Sequence, residues 1–185
     1  MGQVFFRKLS RWQADGDREK LADLYVAAYE EPPGEEYRNR ERFLARLAED
    51  VQRQGFAMVA ADDEEGDDDE PAGVTYGYPL HRDGSWWRGF VGVVPDEVEE
   101  LTASGKAFVI AELMVLPEHR RRGIGGRLVE TLLSASHAEL AVILVDPANR
   151  VAQAALRAWG WEPLGELRPG TGDSVYLVLT RSLPS

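Results

Sequence analysis

The stretch Glu112-Leu113-Met114-Val115-Leu116-Pro117, followed two residues later by Arg120-Arg121-Arg122-Gly123-Ile124-Gly125-Gly126, decides how this chain reads. The run Ala107–Val115 before the glycines has strand content, and residues 125–136 after them read as a helix. A glycine turn between a strand and a helix is built to meet an anion. The glycines let the backbone turn tightly and approach a ligand, and the unpaired N–H groups of the helix start point at it with the positive end of the helix dipole. A pyrophosphate fits that description, and Arg120, Arg121 and Arg122 add charge and forked donors beside the same turn. Without the glycines and the flanking elements the arginines would read as a solvated basic turn; their position argues for the anion site.

Two common nucleotide fingerprints fail. A dinucleotide GxGxxG needs glycine where Leu128 stands, and the chain contains no GxxxxGK[ST]. The pattern R-x-x-G-x-G after the 112–117 strand instead resembles the acetyl-CoA-binding motif of the GNAT superfamily of N-acetyltransferases. Downstream, a buried strand at Leu140–Val145 leads to Asn149, Ala152 and the pair Gly160-Trp161, again as in that family. The match covers about the C-terminal half; the N-terminal half agrees in its order of elements. The resemblance implies an α/β fold whose mixed sheet, flanked by helices, splays between strands 107–115 and 140–145 to admit a pantetheine arm. It further implies that the backbone of Leu113, Met114 and Val115 binds that arm. The amides of Arg121, Arg122, Gly123, Ile124, Gly125 and Gly126 would hold the pyrophosphate, and Asn149 would contact the cofactor. The implied activity is direct transfer of acetyl from acetyl-CoA to a primary amine of a small molecule or peptide. The alternative is a GNAT-like module that binds acetyl-CoA without turning it over.

Composition sets outer bounds. A chain of 185 residues, 44% hydrophobic, fits one domain spanning residues 1–185. Its longest apolar runs fall short of the ~20 residues that span a bilayer. Met1-Gly2 is followed by Phe6 where a myristoylation signal needs Ser or Thr, and no secretory apolar run is seen, so a cytoplasmic protein is expected. With no cysteine, thiolate metal sites and an acyl-enzyme thioester are excluded. The net charge of −11 is concentrated in residues 62–70 (DDEEGDDDE), where eight of nine positions are acidic; elsewhere 24 acids face 21 bases. That run reads as a mobile, solvated loop. A pI near 4.8 and one short basic cluster argue against nucleic acid as a partner. His81, His119 and His137 show no metal-ligand spacing, so no metal is expected. Gly172-Asp173-Ser174 lacks the final glycine of a nucleophile elbow, because Tyr176 stands there. Oligomeric state is open, with a homodimer compatible.

Patterning supplies the remaining elements. Residues 4–9 read as a strand, and 17–29 as a helix with Leu21, Leu24, Tyr25 and Ala28 on one face. Phe43, Leu44, Leu47 and Val51 mark a second helix, and 56–61 with 73–80 form a hairpin around the acidic run. A short helix at Asp96–Ala103, a helix over 149–159 and a last strand at 174–180 complete the list.

For chemistry, acetyl transfer to an amine needs a neutral nucleophile and a donor for the developing oxyanion. Glu112 shares a strand face with Phe108, Ile110 and Met114, so partial desolvation would raise its pKa towards neutrality and suit it as the base. The competing readings are that it pairs with an arginine or relays through water. Many family members carry a tyrosine acid seven residues after the equivalent of Asn149; here Leu156 stands in its place. Tyr25, Tyr29, Tyr76 and Tyr78 are candidate substitutes. Tyr29 and Glu30, before the Pro32-Pro33 break, lie where the family builds its acceptor mouth and suit a cationic amine. Trp86 and Trp87 either line that pocket or fill the core.

Overall fold

A computed structural model describes residues 3–29, 40–66, 70–170, 172 and 174–184. Seven strands form one mixed sheet in the order β1-β2-β3-β4-β5-β7-β6, where β1 is Val4–Leu9, β2 Ala57–Asp63, β3 Gly73–Pro79, β4 Ala107–Val115, β5 Leu140–Val145, β6 Glu162–Leu167 and β7 Tyr176–Ser182. Among the described residues six α-helices accompany them: α1 Arg11–Gly16, α2 Arg18–Ala28, α3 Arg40–Asp50, α4 Asp96–Ala103, α5 Ile124–Ser134 and α6 Arg150–Ala158. Among the described residues no helix is long and apolar enough to cross a membrane. The chain divides into two compact units, one of Met1–Tyr78 with Ala111–Ala135 and one of Pro79–Ile110 with Ser136–Ser185, and β4 passes from the second to the first after Ile110.

The first unit holds β1, β2, β3, the C-terminal half of β4 and helices α1, α2, α3 and α5. Antiparallel pairing sets Leu9 opposite Met58 in β1 and β2, and Ala61 opposite Gly73 in β2 and β3. α2 buries Leu21, Leu24, Tyr25 and Ala28, the expected face, and α3 buries Phe43 and Leu47. These side chains join Met58, Val74, Tyr76, Met114 and Leu116 in one apolar core. Tyr25 and Phe43 stack at 4.7 Å between centroids, which locks α2 against α3. Gly73 is needed for close packing: a Cβ there would lie 2.7 Å from the Met114 carbonyl oxygen.

Two sequence expectations change here. Residues 11–16 form α1, unforeseen although Ser10 and Gln13 make a reciprocal capping box. The acidic run is not wholly a loop: Asp62 and Asp63 belong to β2, and Asp62 pairs with Arg7 at 2.8 Å. Residues 67–69 lie outside the described residues.

The second unit holds the first half of β4, then β5, β7 and β6, with α4 and α6. β4 and β5 run parallel from the pair Ala107 and Leu140 to the pair Ile110 and Ile143; both strands continue beyond that pairing. β6 was not expected, because Pro163 and Gly165 are poor strand residues. It is the last strand of the sheet and shifts register between those two positions, a placement that tolerates both. Phe90 fills the space over Gly165, where a Cβ would meet its ring at 2.8 Å.

Candidate active site

The site assembles in the first unit around the second half of β4. Residues 107–110 of that strand are buried, whereas Ala111, Glu112, Leu113 and Val115 are partly exposed although the strand is central in the sheet. Backbone direction alternates along a strand. The Leu116 N–H donates to the Ala72 carbonyl on the β3 side, so Leu113 and Val115 direct their backbone groups to the opposite edge, along which β4 has left its pairing with β5. Two carbonyls on that edge are engaged: Leu113 accepts from the Tyr29 hydroxyl at 3.1 Å, and Val115 accepts from Arg120 at 3.2 Å.

Glu112 projects from the same segment into a polar cluster built by three elements. Its side chain is 9% exposed. Oε1 accepts from Arg46 Nη2 of α3 at 3.1 Å, and Oε2 accepts from the Tyr29 hydroxyl, just past α2, at 3.4 Å. Thr75 of β3 donates its hydroxyl to the Glu112 carbonyl at 2.8 Å, which fixes the backbone beneath the carboxyl. Burial pushes the Glu112 carboxyl up to about 7; the charge of Arg46 and the Tyr29 bond oppose that rise, and the charge of Asp50 adds to it. A carboxyl poised there is half ionised at neutral pH and can take up a proton within the reach of its surroundings.

Around this core the acid-bearing face of α3 continues. Asp50 accepts from the Tyr76 hydroxyl at 2.8 Å and from Arg53 at 2.8 Å. Arg53 in turn stacks over the Tyr78 ring at 4.5 Å. Burial pushes the Tyr76 phenol well above its ordinary value and the Tyr78 phenol up to about 12, so both stay neutral. Of the candidate tyrosines, Tyr29 reaches Glu112 and the β4 edge with its hydroxyl.

The glycine turn follows β4 in the same unit. Gly123 caps α5 in the left-handed region, φ 75°, and no heavy atom lies within 4 Å of where its Cβ would stand. Having no side-chain cap, the first turn of α5 presents the amides of Ile124, Gly125 and Gly126 at its open end. These features fit a diphosphate: a cradle of backbone donors with room for a ligand to approach. Two of the three guanidinium groups are engaged by the protein. Arg120 bonds to the carbonyls of Ala28 and Val115, and Arg122 pairs with Asp63 at 2.7 Å. Arg121 is exposed.

With this geometry in hand, comparison with known proteins gives a clear placement. The profile of the Acetyltransferase (GNAT) family matches residues 18–161. The chain belongs to that family. Among solved structures, this GNAT chain is similar to Arabidopsis thaliana NAA60 in complex with acetyl-CoA, at 15% identity, TM-score 0.65 and coverage of 98% of this chain and 99% of the other. It is also similar to PaiA N-acetyltransferase from Thermoplasma acidophilum in complex with coenzyme A, at 14%, TM-score 0.61 and coverage of 98% and 99%. A third is the aminoglycoside N-acetyltransferase AAC(6')-Iy in complex with CoA, at 16%, TM-score 0.59 and coverage of 94% and 97%. At these identities the likeness carries the fold. None of the curated proteins matches the sequence.

Within this GNAT fold the other expected site residues fall as follows. Asn149 caps α6, accepting from the Ala152 N–H at 3.1 Å through Oδ1. Trp87 is buried and donates its indole N–H to Thr102 at 3.0 Å, a packing role, while Trp86 is half-buried against it at 4.9 Å. Leu156 is buried on α6. Glu30 lies outside the described residues. Sequence reasoning missed Arg46 and Asp50. Their spacing of four places them on one flank of α3 beside Phe43 and Leu47, a signal that marks a helix face but names no partner.

Proposed function

We propose that this chain is an acetyl-CoA-dependent N-acetyltransferase that passes acetyl directly to a primary amine of a small molecule or peptide, with Glu112 as the general base. The observation that carries the reading is the Glu112 carboxyl, nearly buried, pushed up to about 7 and hydrogen-bonded by Tyr29, one strand segment before the glycine turn. Acetyl-CoA supplies the activated thioester. Leu113 and Val115 direct backbone N–H groups along the β4 edge away from β3, whereas Met114 turns its backbone to β3, and Ile124, Gly125 and Gly126 offer the diphosphate their amides. Ionised Glu112 takes one proton from the attacking ammonium; the neutral amine then forms the new C–N bond as the C–S bond breaks, and the second proton lost from nitrogen balances the one that the departing thiolate takes up. Amides on the β4 edge would be the donors to charge developing on the acetyl oxygen. Because a thiol has an ordinary pKa of about 8.5, its thiolate is a tolerable leaving group at neutral pH. Tyr29 is placed to supply the returning proton.

A carboxylate next to the acceptor amine suits a cationic substrate. The second reading, an acetyl-CoA-binding module without turnover, draws on Leu156, a buried aliphatic side chain where many relatives place an acid. Incubation with acetyl-CoA and a panel of polyamines, aminoglycosides and short peptides, with free thiol followed by a colorimetric reagent, separates the two. Thiol release that depends on the amine supports the transferase. Saturable acetyl-CoA binding with no thiol release from any amine supports the module.

A further inference from the structure

Asp63 stands at the end of β2 and is 9% exposed. Its Oδ2 receives Arg122 Nη1 at 2.7 Å and lies 3.5 Å from His119 Nδ1, and its Oδ1 accepts from the Glu65 N–H at 3.0 Å. Arg122 Nη1 also lies 2.9 Å from His119 Nδ1. The carboxylate therefore ties three chain segments together: the β2 end, the turn after β4 and the glycine turn. The Arg122 bond holds the Asp63 carboxyl below the usual carboxylate range.

Arg122 sits between two residues in the left-handed region, Arg121 at φ 64° and Gly123 at φ 75°. For glycine that conformation is free, but for an arginine it is sterically disfavoured, and among the described residues Arg121 is the only non-glycine that adopts it. Such a conformation persists where the surroundings over-determine it. Here they do so from both sides, since Arg120 is bonded to the Ala28 and Val115 carbonyls and Arg122 to Asp63.

We propose that the Asp63–Arg122 ion pair, backed by His119, is a positioning clamp for the diphosphate of acetyl-CoA: it holds the 121–123 backbone in the twist that aims the α5 amides at the ligand. On this view the second residue of the acidic run belongs to the cofactor machinery. Asp63 and Arg122 are positioning residues, and neither guanidinium nor carboxylate touches the ligand. The proposal rests on the glycine turn being the diphosphate cradle, so the test carries a control for that reading.

Binding is measured by calorimetry on the full chain with two probes, CoA and ADP, which shares the diphosphate and lacks the pantetheine arm. Asp63→Asn and Arg122→Lys are compared with the parent and with Gly125→Val, each first shown to melt cooperatively. Asp63→Asn weakens CoA and ADP in parallel, by between about tenfold and a hundredfold, the scale of a 1 Å misplacement. Arg122→Lys, which keeps the charge, loses less than Arg122→Gln, and Asp63→Asn in the Arg122→Gln background adds nothing further. Unchanged affinity in Asp63→Asn, with Gly125→Val still losing both probes, overturns the clamp and leaves the cradle standing. Tighter CoA in Asp63→Asn overturns it differently, by making Arg122 a phosphate ligand that Asp63 restrains. Full affinity for both probes in Gly125→Val removes the cradle itself.

Discussion

Replacing Glu112 by Gln keeps the size of the side chain and its capacity to hydrogen-bond with Arg46 and Tyr29, and removes the proton site. Two opposite effects are expected from the one raised pKa. On catalysis, turnover at neutral pH falls by roughly 10²- to 10⁴-fold, the range of general acid-base catalysis. The informative quantity is the pH profile of wild-type kcat/KM, which follows the ionised fraction of Glu112. Since the carboxyl titrates at about 7, that profile levels off above pH 8 and drops about tenfold per pH unit below 6. Towards pH 10 the mutant regains part of its rate, because an alkyl amine of pKa about 10.4 deprotonates unaided. On stability, the sign is reversed. A carboxyl with an ordinary value of 4.5 that is raised to about 7 on folding costs nothing below pH 4.5, where it is protonated in both states. The cost grows as pH rises from 4.5 to 7 and is complete above 7. At ~1.4 kcal/mol per pH unit the full cost is about 3 kcal/mol. Glu112→Gln should therefore be more stable than wild type at pH 8 by up to about that amount and equal to it at pH 4, read from urea midpoints at constant m. Wild-type turnover at neutral pH would refute the base. A mutant less stable than wild type at pH 8 would refute the buried, raised carboxyl on which the argument stands.

Arg46→Gln removes the charge that holds the Glu112 pKa down, so the acid limb of the pH-rate profile moves above 7 and activity lost at neutral pH returns near pH 9; an unmoved limb means that Arg46 does not sense the base. Acetyl-CoA raises the melting temperature by binding the folded state alone, worth about 2.7 kcal/mol at a hundredfold excess over Kd, and Gly125→Val abolishes that shift by blocking backbone approach to the diphosphate. Equal shifts in the two proteins would place the cofactor elsewhere. Gly73→Ala drives a Cβ to 2.7 Å from the Met114 carbonyl oxygen and 3.1 Å from Leu128 Cδ1, costing roughly 1–3 kcal/mol of stability by overpacking; an unchanged urea midpoint would show that β3 and β4 can part without penalty.

What the sequence determined by itself is what depends on local order. The turn Gly123-Ile124-Gly125-Gly126 needs its glycines adjacent to one another and between a strand and a helix, so a window of about twenty residues contains the whole signal. β4 and β5 were legible to the residue, and α2 to within one, for the same reason: their apolar positions repeat with the period of the element. Glu112 stood out because it interrupts an apolar strand. β6 was hidden because edge strands tolerate Pro163 and Gly165. Only the tertiary structure decided what meets Glu112 and the glycine turn. Arg46 lies 66 residues from Glu112 and Asp63 lies 59 from Arg122. The choice between a solvated carboxylate and a proton acceptor near 7, or between a phosphate-binding arginine and a clamped one, turns on burial and on a partner's charge. Neither quantity is carried by any short stretch of the chain, because both arise when the helices α2 and α3 and the β2 end pack around β4.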